Sequence, residues 1–309
     1  LLTTGALLLA GACTATDGPD GPDGAAASDR PDAASARQGP TLLVNVSIDQ
    51  LRGDLWEWYA PVFTGGIRRL YDEGFQFTNA THEHSRTTTA AGHATLATGA
   101  YPRNHGIVSN DWWEETGEGL VEVYAVSDSD SPLLGFPEEE GRSPANLRRS
   151  GLGDWLMEVE PRARVVSLSG KDRAAITMAG KARGHVYWIV PEEGQFTTST
   201  FYRDELPGWV SEFNRSEMPI LYADTVWHTR VPEAVRSMTR PDTAEFERFH
   251  PLSYFPHHGV AEVGSGSSPQ EFRIDLTEWT TDTPVSDRAV AGLAIRALGL
   301  NHEFVAIAI

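Results

Sequence analysis

The chain has 309 residues, 43 acidic against 25 basic side chains, a formal net charge of −18 and one cysteine. Its length allows one large α/β domain or two ordinary ones, so core size does not limit the fold. The charge argues against binding nucleic acid through its phosphates, which usually leaves a basic footprint, and a lone cysteine offers neither a disulfide framework nor a thiolate metal site.

Leu1 to Ala12 is an apolar run too short to cross a bilayer, which takes about 20 residues; it reads as the h-region of a secretory signal without its basic start. Ala10-Gly11-Ala12 has the small-residue pattern of a cleavage site. Cys13 follows directly and is a candidate for lipid attachment, although Ala10 stands where such signals usually carry Leu. The expectation is an exported protein: periplasmic, anchored to a membrane as a lipoprotein, or extracellular. Residues 13–40, with repeated Asp-Gly-Pro units and runs of Ala, Ser and Asp, read as a disordered linker. The folded part is expected over 41–309.

Thr41 to Ile48 is a mostly apolar run, as in a buried parallel strand, and Asp49 closes it. Ligands of open α/β sheets bind at the carboxyl ends of strands, so Asp49 is a candidate metal ligand; capping the next turn is the alternative. Gly65 to Glu73 predicts a helix stopped by Gly74, and Phe75 to Asn79 alternates like a strand. In Thr87-Thr-Thr-Ala-Ala-Gly-His93 a hydroxyl precedes an apolar helix, Ala90 to Thr98. Unpaired N–H groups and the dipole at a helix start favour an anion such as phosphate, so Thr89 is either an ordinary N-cap or a residue acting on an anion. His93, on the apolar helix, and His105, in a Pro/Gly-rich turn, are expected to be structural. Asn110 arrives beside two tryptophans, and the acidic stretch 114–140 reads as a solvated excursion.

Leu147 to Val159 predicts a helix ended by Pro161. Arg164 to Ser169 is a second buried-strand candidate, delivering Gly170-Lys171-Asp172-Arg173 at its end. Lysine occurs only at positions 171 and 181. A Lys and an Arg at a strand end suit a phosphate, and a charge-balanced surface turn is the alternative. His185 to Val190 and Gln195 to Tyr202 read as strands, with a cap or insertion expected over about 186–283. The pair His257-His258 lacks a nearby carboxylate, which argues against a metal site there. Pro284 to Gly299 is the clearest helix, and Phe304 to Ile309 begins another buried strand. The fold class expected is α/β, a mostly parallel central sheet flanked by helices, with the C-terminal part of the fold absent after Ile309.

Asp49 at a strand end, Thr89 before Ala-Ala-Gly-His, Pro102-Arg-Asn-His-Gly-Ile107, Asn110-Asp-Trp112 and Lys171-Asp-Arg173 together resemble the alkaline phosphatase superfamily. The set is most similar to the threonine-nucleophile, phosphate-irrepressible alkaline phosphatases of bacteria, neighbours of the type I phosphodiesterase/nucleotide pyrophosphatases. The resemblance runs from Thr41 to Ile309. It implies two zinc ions, one bound by Asp49 and by Thr89, which would attack phosphorus and form a phosphothreonine that water activated by the second zinc hydrolyses. Asn110, Lys171 and Arg173 would contact the phosphoryl oxygens. The Lys-x-Arg pair is what the monoesterases have and the diesterases lack, so phosphate monoesters are the expected substrates. The alternatives are a phosphodiesterase or nucleotide pyrophosphatase, and a non-catalytic phosphate-binding module. Sulfatases need Cys or Ser where Thr89 stands. The remaining zinc ligands are expected beyond Ile309, so the fragment alone is expected to bind zinc weakly and to be inactive.

Overall fold

The computed structural model describes residues 6–8, 42–117, 119–222, 226–227, 232–239, 257–258, 283–299 and 304–308. Its strands are β1 (Ala6–Leu8), β2 (Leu43–Ser47), β3 (Asp111–Thr116), β4 (Gly119–Tyr124), β5 (Val165–Ser169), β6 (His185–Val190), β7 (Gln195–Thr197), β8 (Val226–Trp227), β9 (His257–His258) and β10 (Phe304–Ala308). The α-helices are α1 (Gly53–Tyr59), α2 (Gly65–Glu73), α3 (Thr89–Thr98), α4 (Pro102–His105), α5 (Leu152–Val159), α6 (Asp172–Ala179), α7 (Gly208–Ser216), α8 (Met218–Tyr222) and α9 (Val285–Leu298).

One sheet runs in the order β1-β2-β10-β5-β6-β7. Its four inner strands are parallel, and β1 and β7 flank them antiparallel. Every residue of β5 is buried, as a strand covered on both faces requires. Alternation then sends neighbouring side chains to opposite faces. Val166 and Leu168 of β5 and Tyr187 and Ile189 of β6 meet α7 and α9, through Val210, Phe213, Ala289, Val290 and Leu293. Val186, Trp188 and Val190 meet α3 and α6 through Ala90, Ala94, Ala175, Ile176 and Ala179. Burying a side chain such as Leu293 contributes roughly 1.5–3 kcal/mol. Gly292 is what lets α9 approach α7: a Cβ there would lie 3.2 Å from the Phe213 ring.

Several expectations need correction. Phe75 to Asn79 is not a strand and pairs with none among the described residues; its two phenylalanines are exposed and pack on each other at 5.0 Å. The acidic stretch 114–140 is solvated along the β3–β4 hairpin and again at 129–130 and 137–140, but not throughout. Ala125, Val126 and Leu133 beyond the hairpin are buried in the core, which the charge count of the segment conceals. The expected strand from Gln195 stops at Thr197, and the helix expected from Leu147 begins at Leu152, behind Gly151. The cap or insertion expected over 186–283 is corrected in its first part. There β6 and β7 belong to the central sheet, and α7 fills its core. Most of 223–282, like Cys13 and the linker, lies outside the described residues. His257 and His258 form β9, paired with Val226 and Trp227. Among the described residues no helix is long and apolar enough to cross a membrane.

Candidate active site

The register of the sheet carries the site. Ser47, Ala308 and Ser169 stand side by side across β2, β10 and β5. Asp49 and Lys171 each follow two residues beyond that row, so their side chains emerge at the same carboxyl edge, with Lys171 Nζ 3.9 Å from Asp49 Oδ2. Helices that precede or follow parallel strands start at that edge, and three first turns converge on it: those of α3, α6 and α9. Between them lies a cavity of about 250 Å³, lined by Asp49, Gln50, Thr89, His93, Lys171 and Asp287 among others. Gln50 turns the chain there with a left-handed φ of 61°, the only such non-glycine backbone among the described residues. Strain of that kind costs on the order of 1 kcal/mol and gathers at functional sites.

Thr89 is not the cap of α3. Thr88 occupies that position and makes no side-chain cap bond, while Thr89 opens the helix and donates its hydroxyl to Asp49 Oδ2 at 2.9 Å. One first-turn N–H is already used: Ala90 N donates to Asn110 Oδ1 at 2.9 Å. That bond fixes the Asn110 amide with its oxygen on the helix and its Nδ2 left to donate elsewhere. The helix start is therefore less open to an anion than the sequence implies, and Asn110 supplies a donor in its place.

His93 is buried on the same helix. Its Nδ1 lies 2.7 Å from the Thr89 carbonyl, which can only accept, so Nδ1 carries the proton. Its Nε2 is buried without a hydrogen-bond partner among the described residues. Burial holds this imidazole below its usual pKa, and the charges of Asp49, Lys171 and Arg173 all act on it. The expectation of a structural histidine holds for its Nδ1 side, whereas the ring also lines the cavity. His105 has both nitrogens paired, accepting from Ile107 N at 3.1 Å and facing Thr95 Oγ1 at 3.1 Å.

Arg173 is not among the residues that line the cavity, and its side chain is 23% exposed. Its NH1 donates to the Tyr124 hydroxyl at 3.1 Å, and that hydroxyl donates to Asp172 Oδ1 at 2.6 Å. Asp172 also receives Arg142 Nε at 2.7 Å. The sequence reading missed this network and Asp287. Asp287 reaches the cavity because α9 begins at the carboxyl edge. Burial raises its carboxyl above the usual range, and the Lys171 charge opposes that. The aspartate in the first turn of the clearest helix was the available signal.

Asp49 and Thr89 offer two oxygen donors toward a divalent cation. Zinc takes about four ligands, and among the described residues no group of three or more His, Cys, Asp or Glu could hold a metal. The described residues thus fit part of a zinc shell.

Comparison with known proteins gives this geometry a context. The chain is 36% identical over 225 residues to alkaline phosphatase PhoV of Synechococcus elongatus, covering 71% of this chain and 40% of PhoV. It is 34% identical over 213 residues to alkaline phosphatase PafA of Elizabethkingia meningoseptica, covering 67% of this chain and 38% of PafA. The crystal structure of wild-type PafA superposes with a TM-score of 0.75 at 27% identity, over 88% of this chain and 53% of that one. The chain spans about two fifths of the length of these curated relatives. The family model for type I phosphodiesterase / nucleotide pyrophosphatase matches residues 43–257. The chain therefore belongs to the type I phosphodiesterase/nucleotide pyrophosphatase family, within the alkaline phosphatase superfamily.

Proposed function

We propose that the whole protein is a zinc-dependent phosphomonoesterase in which Thr89 is the nucleophile. The observation that carries this is the meeting of Thr89, Asp49 and Lys171 on one cavity, with the Thr89 hydroxyl 2.9 Å from Asp49. The relatives named alkaline phosphatase support it, and so does a solved PafA variant that alters a threonine, an asparagine, a lysine and an arginine. In that variant the first two positions are 21 apart and the last two are 2 apart, the same separations as Thr89 to Asn110 and Lys171 to Arg173.

The Thr89 proton points at Asp49, which leaves the oxygen lone pairs facing the cavity. Attack on phosphorus forms the Thr89 Oγ1–P bond and breaks the ester P–O bond, releasing the alcohol. Water then cleaves the phosphothreonine to inorganic phosphate and the restored hydroxyl. Lys171, Arg173 and the Asn110 amide supply fixed donors for the phosphoryl oxygens, where charge spreads in the transition state. Asp49 and Thr89 would hold one of two zinc ions, which when bound supply Lewis-acid stabilisation of anionic oxygen. A dianionic monoester exposes three non-bridging oxygens, so two cations suit it better than a singly charged diester. The description of the family model favours the diesterase as the second reading. Export, with lipid attachment at Cys13, belongs to the same proposal and rests on the Leu1 to Cys13 pattern; cleavage before Cys13 would take β1 off the edge of the sheet and leave β2 as the edge strand.

Acid-quenching the zinc-loaded full-length protein during turnover of an aryl phosphate, followed by peptide mapping, tests the nucleophile. A phosphoryl group on Thr89 is expected. Burst kinetics with the group on another residue would remove Thr89 from that role.

A further inference from the structure

Arg173 and Asp172 are adjacent, oppositely charged and largely buried, yet they do not form a close ion pair: Arg173 NH1 and Asp172 Oδ1 stand 3.8 Å apart. The Tyr124 hydroxyl bridges them from one side, accepting from Arg173 at 3.1 Å and donating to Asp172 at 2.6 Å. Tyr124 reaches this position because it ends β4, the returning strand of the hairpin that begins just after Asn110. Its ring is held from the other side by the Arg142 guanidinium, 4.9 Å from the centroid. Arg142 Nε in turn occupies the second Asp172 oxygen at 2.7 Å. Both carboxylate oxygens of Asp172 are thereby engaged by groups other than the Arg173 side chain.

From this arrangement we propose that Tyr124 is a positioning residue. It is a neutral spacer that keeps the Arg173 charge from collapsing onto Asp172 and so preserves it for a dianionic phosphate monoester. The hydroxyl can play both parts because it is donor and acceptor at once. Burial keeps it protonated, raising its pKa above the ordinary phenol value. Asp172 Oδ1 also accepts from the Arg173 backbone N–H at 2.6 Å; without the Tyr124 hydroxyl it is still the nearest anionic partner for Arg173 NH1, and a direct, partly buried ion pair would hold the guanidinium there. The inference rests on the monoesterase reading and deepens it, since it makes substrate-charge selectivity depend on the β3–β4 hairpin as well as on the Lys-x-Arg segment.

The test uses the zinc-loaded full-length protein and kcat/KM for an aryl phosphate monoester and the matching diester. Tyr124→Phe is expected to lower monoester kcat/KM about tenfold, less than the roughly 100-fold expected for Arg173→Ala, while diester turnover changes little. Adding Arg173→Ala to Tyr124→Phe should cost little more than Arg173→Ala alone, because both act through one group. Asp172→Asn in the Tyr124→Phe background should restore part of the monoester rate by removing the competing charge. Equal losses for both substrates, fully additive losses, or no rescue would each overturn the proposal. A Tyr124→Phe protein with a lowered melting temperature is judged by the same ratio, which a general loss of folded protein leaves unchanged. If Arg173→Ala itself leaves the monoester-to-diester ratio untouched, the monoesterase reading fails, and this inference fails with it. If Arg173→Ala shifts the ratio and Tyr124→Phe does not, only the spacer role is lost.

Discussion

Thr89 and Asp49 stand 40 positions apart in the chain, and the hydroxyl of the first donates to the carboxylate of the second across 2.9 Å. Thr89 takes the first position of α3, Asp49 follows β2, and Gln50 turns the chain in a left-handed conformation immediately after it. Thr89→Val keeps the shape and replaces the hydroxyl with a methyl group. Activity is expected to fall by roughly 10⁴-fold or more, as for other nucleophile deletions. Stability should change by about 1 kcal/mol or less, because the Asp49 side chain is 23% exposed and water can replace the lost bond. Steady-state kinetics beside thermal melting checks both parts.

Asn110 has two separable duties. Its oxygen accepts from Ala90 N in the first turn of α3, and its amide is left to donate. Asn110→Asp keeps the acceptor while replacing the donor with a negative charge, so the fold should hold while monoester kcat/KM falls on the order of 100-fold or more. Asn110→Ala removes both, with a similar kinetic loss and a stability cost of about 1 kcal/mol. Equal activity of the Asp variant and the parent would show that the amide contacts no phosphate.

Much of this framework is legible in local pattern, because parallel strands buried on both faces leave continuous apolar runs. β5, buried at every residue, shows it; β2 and β10 are similar apolar runs in the same sheet, and β2 and β5 each hand a charged residue to the sheet edge. The helix α9 is legible from its apolar face. The Phe75–Asn79 alternation misleads because period two describes which way side chains point and says nothing about whether a partner strand exists. Tyr124 and Arg142 were not legible as supports of Asp172. They lie 48 and 30 positions from it and within or beside a conspicuously acidic stretch. Asp287 had a local signal, its place in the first turn of α9, but that signal could not say which edge the helix starts from; its place at the cavity follows from β10 inserting between β2 and β5.

His105 predicts a pH response. Burial lowers its pKa to about 4. Its Nδ1 accepts from Ile107 N, so a neutral ring carries its proton on Nε2, facing Thr95 Oγ1, which donates onward to Ala91 O. The unfolded chain, with an ordinary histidine near 6.5, takes up a proton before the folded one does. The contribution to stability is therefore full above about pH 6.5 and is lost progressively as pH falls toward 4. Denaturant melts across that window should show a falling midpoint, and His105→Asn, which keeps an acceptor near Nδ1, should flatten the slope. An unchanged slope would assign the pH dependence to other groups.

The claim that two cations select a dianionic substrate is tested most directly by one comparison. It is kcat/KM for an aryl phosphate monoester against the matching diester, in the zinc-loaded full-length protein, before and after Lys171→Ala and Arg173→Ala. The account predicts a strong monoester preference that falls by on the order of 100-fold on losing either cation. A diester preference that neither substitution alters would contradict it, and would return Lys171-Asp-Arg173 to the status of a charged turn.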